Sequence, residues 1–167
     1  MPDIAIEELF PEQNPADMER MVPAFLAIWN ARENLRFLSF TGLPFQPAQV
    51  RDWFSRQVSA GVRYFCASRP DGHIDGILAI RIDPLLGFEL MSIGVAADRQ
   101  CAGIGRQLLT HGIAVARDAG FAAVDAQVFA TNARMLRLLL ALGFVPVRME
   151  YHRGSEGEDL VHLKLRS

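Results

Sequence analysis

Two glycines one residue apart, Gly103 and Gly105, stand in the stretch ADRQCAGIGRQLL at residues 97–109, just ahead of leucines at helical spacing. A polar loop that opens a helix this way lets the backbone approach a ligand closely. Glycines allow several N–H groups to converge, and the helix start adds positive potential. Anion binding is the chemistry this arrangement suits. A dinucleotide turn would need a third glycine, G-x-G-x-x-G, where Leu108 stands, and an early parallel βαβ unit. A G-x-x-x-x-G-K-[ST] phosphate loop would need a lysine that this stretch lacks. Carboxylates that could move protons stand at Glu89 and Asp125, inside strand-like runs. The two cysteines, Cys66 and Cys101, make no C-x-x-C pair, and the four histidines have no metal-ligand spacing, so no metal is expected.

The rest of the chain must position these groups. Its 167 residues suit one domain covering residues 1–167, with half of them hydrophobic and 22% charged. A net charge of -2 gives no reason to expect nucleic acid. The densest cationic group is only Arg134, Arg137 and Arg148. The opening MPDIAIEELFPEQ lacks the basic-then-apolar pattern of a secretory signal, and no apolar run nears the roughly 20 residues of a membrane span. With two unframed cysteines, the expectation is a cytoplasmic protein that meets no membrane.

DIAIEELF alternates as a first strand. NPADMERMVPAFLAIWNARENLRFL reads as one or two helices with Asn14 as N-cap and Pro15 at the first helical position. PAQVRDWFSRQVSA is a third helix ending before Gly61. VRYFCAS, DGILAIRID and FELMSIGV form an antiparallel meander. After the glycine loop, Ile104, Leu108, Leu109, Ile113 and Ala116 share one helical face, and Gly120 stops the helix. FAAVDAQVFA is a strand, TNARMLRLLLALGF a short apolar helix closed by Gly143, and VPVRMEYHR and DLVHLKLR two final strands. One β-loop-α-β crossover thus puts the glycine loop at a strand's C-terminal end, where α/β sheets bind ligands.

SIGVAADRQCAGIGRQLL resembles the central motif of the GNAT acyl-CoA N-acyltransferase family, a strand followed by Q/R-x-x-G-x-G/A at a helix start, with Gln100, Gly103 and Gly105 in place. TNARMLRLLLALGF is similar to that family's N-x-x-A-…-L-G-F segment, with Asn132, Gly143 and Phe144 in place. Together the motifs span residues 88–144. The resemblance implies the GNAT fold, an α+β α/β/α sandwich with a mixed, mostly antiparallel sheet of about seven strands. It implies acetyl-CoA as cosubstrate and an amine on a small molecule, peptide or protein as acceptor, and it leaves a homodimer open.

It also assigns residues. Backbone amides of Gln100, Cys101, Ala102, Gly103, Ile104, Gly105 and Arg106 cradle the pyrophosphate. Ile93, Gly94 and Val95 pair with the pantetheine arm, a bulge at Gly94 opens the cleft, and the Val95 N–H faces the thioester oxygen. Asn132 caps the last helix and approaches the arm or its sulfur, a binding and catalytic role. Glu89 is the candidate base, on the face of Met91, Ile93 and Val95 by strand alternation; its other reading is a solvated strand-end carboxylate. Asp125 is the second choice, read first as a sheet carboxylate. His111 falls on a solvated helix face, and His152 and His162 on the terminal strands.

Where many relatives carry a tyrosine that protonates the thiolate, this chain has Leu139. The expected activity is acetyl transfer by direct attack in a ternary complex. The missing tyrosine keeps a non-catalytic acyl-CoA-binding regulatory module as the alternative. Cys101 lies on the pyrophosphate loop, so no acyl-enzyme is expected. The aromatic segment from Trp29 to Phe45 falls where the family walls its acceptor site, although such spacing also suits a core.

Overall fold

The computed structural model describes residues 4–57, 60–154 and 156–166. Strand β1 (Ala5–Leu9) leads to helix α1 (Pro15–Trp29). Asn14 Oδ1 caps α1 by accepting from the Ala16 N–H at 3.0 Å, and Pro15 opens the helix as its sequence position requires. Helices α2 (Arg32–Leu38) and α3 (Pro47–Gln57) follow; residues 58 and 59, where the third helix was expected to run on, lie outside the described residues. Strands β2 (Val62–Ser68), β3 (Ile74–Asp83) and β4 (Gly87–Val95) form the antiparallel meander. Then come α4 (Ile104–Asp118), β5 (Ala123–Phe129), α5 (Ala133–Ala141), β6 (Val145–Glu150) and β7 (Leu160–Arg166).

The strands make one seven-stranded sheet in the order β1-β2-β3-β4-β5-β7-β6, with β4 and β5 the parallel pair. Helices cover both faces. Met21, Val22, Phe25, Ile28 and Trp29 of α1 and Val50 and Phe54 of α3 bury one face. Ile104, Leu108, Leu109, Ile113 and Ala116 of α4, the stripe set by 3.6-residue periodicity, bury the other with Leu139 of α5. The α+β sandwich expected from the sequence is the fold observed.

One local expectation is overturned. The bulge in β4 is at Met91, because Ile80 pairs with Leu90 while its neighbour Ala79 pairs with Ser92. The extra residue puts Met91 and Ser92 on one face and reverses the alternation beyond them. Phe88, Leu90, Ile93 and Val95 therefore belong to the α4 side, and Met91 to the α1 side. Gly94 serves packing instead: a Cβ there would come within 2.6 Å of Ile28 Cγ2 and 2.7 Å of Trp29 Cζ3. The glycine lets α1 seat directly on the strand.

Candidate active site

The bulge has an immediate consequence for β4 and β5. They pair only from Phe88 to Leu90 against Val124 to Ala126, then separate. A cleft of about 340 Å³ opens between them, reaching from Phe37 and Phe40 on the α2 side to Asn132, Met135 and Leu139 on the α5 side. Its β4 edge carries unpaired backbone. Ala96 N–H donates to the Asp75 carbonyl of β3 at 2.9 Å, so by strand alternation the Val95 N–H points away from β3, toward the cleft. The Val95 carbonyl on that edge accepts from Asn34 Nδ2 at 2.9 Å, leaving the N–H as the open group.

At the end of this edge lies a turn of 3-10 helix, Ala97–Arg99, and then the glycine loop. Cys101 and Gly103 take positive φ, 67° and 84°, the alternation of backbone hands that makes amides converge. Gln107 donates the first helical bond of α4, to the Gly103 carbonyl at 3.1 Å. Gly103 itself has no side chain with which to cap, so the amides of Ile104, Gly105 and Arg106 stay open at the helix start. This is an anion cradle in form.

The Gln100 side chain is a bridge. Its Nε2 donates to Asn34 Oδ1 at 2.9 Å, and its Oε1 accepts from Arg134 Nη1. Asn34 Nδ2 also reaches the Ile28 carbonyl at 2.8 Å, so one side chain ties α1, α2, β4 and the loop together. Neither Asn34 nor Arg134 stood out in the sequence as part of the site. The available signal was an asparagine in the interior of a short helix, where it is a weak helix former and needs another reason.

Asp75, also unforeseen, anchors the loop from below. Its carboxylate is fully buried. Arg69 grips it through two bonds of 2.8 and 2.6 Å, Arg99 Nε lies 3.3 Å away, and His73 Nε2 lies 3.7 Å away. The Arg69 hydrogen bonds hold this carboxyl below the usual range, with Arg99 and His73 assisting against burial. A lowered folded-state pKa means that its stabilisation is present above about pH 4 and is lost as pH falls through the folded value. Because Arg99 belongs to the turn before the cradle, Asp75→Asn should loosen cofactor binding more than catalysis. For the acetyl-CoA that the sequence motifs imply, we expect KM to rise about 10-fold, kcat to change less, and stability to fall by about 1–3 kcal/mol, less than for a fully dry pair. Steady-state kinetics with a thermal melt checks this; an unchanged KM would leave Asp75 a purely structural ion pair.

The carboxylates and histidines separate clearly. Glu89 lies at the cleft wall, but on the α1 face and not with Ile93 and Val95, since the bulge intervenes. Its Oε2 accepts from Arg81 at 2.5 Å and its Oε1 from Gln127 Nε2 at 3.1 Å. Asp125 pairs with Lys164 at 3.1 Å, the sheet role read first. His162 Nε2 lies 2.7 Å from Glu150 Oε1, on the same face as Gln127, its register partner. His152 stands past the end of β6, and His111 is half-buried with its ring 4.8 Å from that of Phe65.

Asn132 Oδ1 accepts from the Met135 N–H at 3.2 Å, the expected cap, and Asn132 lines the cleft. Leu139 is buried in the cleft wall. Among the described residues no tyrosine lines it. Tyr64 is buried against Phe54, its phenol pushed up by burial, and Tyr151 is exposed beyond β6. The aromatic segment divides: Trp29 is core, stacked on Phe25, whereas Phe37 and Phe40 line the cleft.

The sequence profile of the acetyltransferase (GNAT) family matches residues 24–144, from within α1 through α5 to Phe144. The chain belongs to this family. Among solved structures, the N-acetyltransferase from Staphylococcus aureus Mu50 superposes on this GNAT chain with a TM-score of 0.79 at 21% identity, covering 98% of each chain. The ribosomal-protein-alanine N-acetyltransferase from Brucella melitensis gives 0.77 at 24% identity, over 98% of this chain and 99% of its own. The ribosomal-protein-S18-alanine N-acetyltransferase from Escherichia coli gives 0.73 at 22%, over 98% and 94%. At such identities the likeness is one of fold. No curated protein matches the chain by sequence.

Proposed function

We propose that this GNAT protein is a single-domain, cytoplasmic acetyltransferase that moves the acetyl group of acetyl-CoA to an amine by direct attack in a ternary complex. The observation that carries the reading is the splayed β4–β5 cleft, edged by the Val95 N–H and ending at the open amides of α4. Acetyl-CoA, when bound, supplies an activated acyl group on a thiol that can leave. The amides from Gln100 to Arg106 hold its pyrophosphate. Ile93 and Val95 hold the arm along the cleft edge; Gly94 contributes by letting α1 approach. The Val95 N–H, aimed where negative charge develops on the acyl oxygen, stabilises that charge. Glu89 takes the proton of the amine, which is mostly protonated at neutral pH with a reference pKa of about 10.4 for lysine. The Asn132 cap leaves its Nδ2 as a donor on the sulfur side.

With Leu139 in the tyrosine position, the thiol leaves as thiolate. Against a reference pKa of about 8.5, this costs about 2 kcal/mol at pH 7, which a working enzyme can absorb. The rate should therefore rise with pH as amine deprotonates, without a falling limb near pH 10 from a general-acid tyrosine. A falling limb in a still-folded protein would show that another acid operates.

Thiol release across a panel of amines, peptides and aminoglycosides, with calorimetry of acetyl-CoA binding, tests the proposal. Absence of binding at high micromolar acetyl-CoA would sink it. Tight binding with no thiol release would favour the second reading, an acyl-CoA-binding regulatory module, which the tyrosine-free cleft supports.

A further inference from the structure

We infer that the acceptor is a monoamine carried on an aromatic or otherwise apolar body, and not a polyamine or an aminoglycoside; this rests on the acetyltransferase reading above. The acceptor half of the cleft is its α2 side, where the walls are Phe37, Leu38, Phe40, Met91, Phe129 and Leu160. Phe40 is 58% exposed, yet its ring stands against that of Phe129 at 5.3 Å, 61° apart. An exposed ring held edge-on to a buried one still has a face to offer, and aromatic pairing rewards a ligand ring placed there. Phe37 is covered by its neighbour Arg36, whose guanidinium lies 4.2 Å from the ring centroid.

Charge on the bordering strands points the same way. β4 and β5 carry one carboxylate each, Glu89 matched by Arg81 and Asp125 by Lys164, and β7 carries none; the carboxylate of the outer strand β6, Glu150, is matched by Arg148 and Arg153. A polycation would need several unmatched acids in the cleft wall to replace its hydration. Glu156 and Glu158, on the β6–β7 turn, are not part of that wall. What remains for a ligand on this side is sparse and local: Glu89 itself, the Gln127 amide beside it, and Ser92 Oγ on the bulge, which is buried without a hydrogen-bond partner, while Asn132 lies toward α5. That suits one nitrogen beside an apolar body.

The test compares 2-phenylethylamine, ethylamine and spermidine in thiol-release assays with the intact protein and saturating acetyl-CoA. Burial of the phenyl ring should give 2-phenylethylamine at least about 10 times the kcat/KM of ethylamine. Spermidine should fall below 2-phenylethylamine. Phe40→Ala, at an exposed position, should shrink the phenylethylamine-to-ethylamine ratio roughly 3- to 10-fold, and Phe40→Tyr, which keeps the ring, should preserve it. Spermidine matching or exceeding 2-phenylethylamine would overturn the inference, as would a ratio untouched by Phe40→Ala. So would no turnover of any of the three by a protein that binds acetyl-CoA in calorimetry. Failure to bind acetyl-CoA would overturn the acetyltransferase reading and this inference with it.

Discussion

Gly105→Glu is expected to abolish acetyl-CoA binding while leaving the protein folded. The position sits in the first turn of α4, beside the left-handed Gly103. The fold itself does not require glycine there. A Cβ would meet Leu138 Cδ2 at 3.7 Å and Val95 Cγ2 at 3.8 Å, ordinary contact distances. A carboxylate in the first turn is even favoured by the helix dipole, by about 0.3–1 kcal/mol. The same carboxylate would stand at the amides to which the proposed function assigns the pyrophosphate. Two like charges about 4 Å apart near a protein surface repel by about 4 kcal/mol, roughly a thousandfold in affinity. Calorimetry reads the affinity and a thermal melt the stability. Normal affinity in a folded variant would mean that the phosphate cradle lies elsewhere.

Glu89→Gln should lower kcat by roughly 10²–10⁴-fold with near-normal acetyl-CoA affinity. The substitution keeps the shape that Arg81 and Gln127 hold, and removes the charge that the proposed base needs to accept a proton. The two bonds occupy two of the carboxylate's roughly four lone-pair sites, so the group is oriented but not exhausted. Raising the pH should restore part of the rate, because more amine then arrives already neutral. Full activity at pH 7 would return Glu89 to a structural role. The base would then be sought at His162, whose Nε2 lies 2.7 Å from Glu150 Oε1 and whose ring nitrogens both lie within 3.5 Å of Arg148 Nη2.

The elements of this fold were legible because their cues are local. Five apolar residues at helical spacing defined the buried stripe of α4, Asn14 and Pro15 marked the start of α1, and alternation in AVDAQVF set the faces of β5. The glycine loop was legible for the same reason, and the Asn132 cap through the resemblance of TNARMLRLLLALGF to the family segment. What escaped depends on register or on partners far along the chain. The bulge at Met91 leaves no mark in FELMSIGV; it exists because of how β4 aligns with β3, and it moved Glu89 to the opposite face from Val95. Asn34 meets Gln100 across 66 positions. Asp75 draws in Arg99 only once the β2–β3 turn lies beneath the glycine loop. Gly94 read as an opening for a ligand and proved to be an opening for α1.

A sheet ordinarily has two edges, and this one has four. Besides β1 and β6, the stretches of β4 and β5 beyond Leu90 and Ala126 face each other without pairing, an inner frontier in the middle of the sheet. Outer edges invite neighbouring chains and must be guarded; this frontier is screened from them by the helices on either side. Its hydrogen-bonding groups belong to the main chain, so their pattern follows from strand geometry and not from the identity of the side chains above them. The main-chain part of what the frontier offers thus stays the same whichever side chains line its banks, while those side chains decide what else can lie beside it. The constraint on that main-chain part falls on the one residue inserted at Met91, which keeps the banks apart.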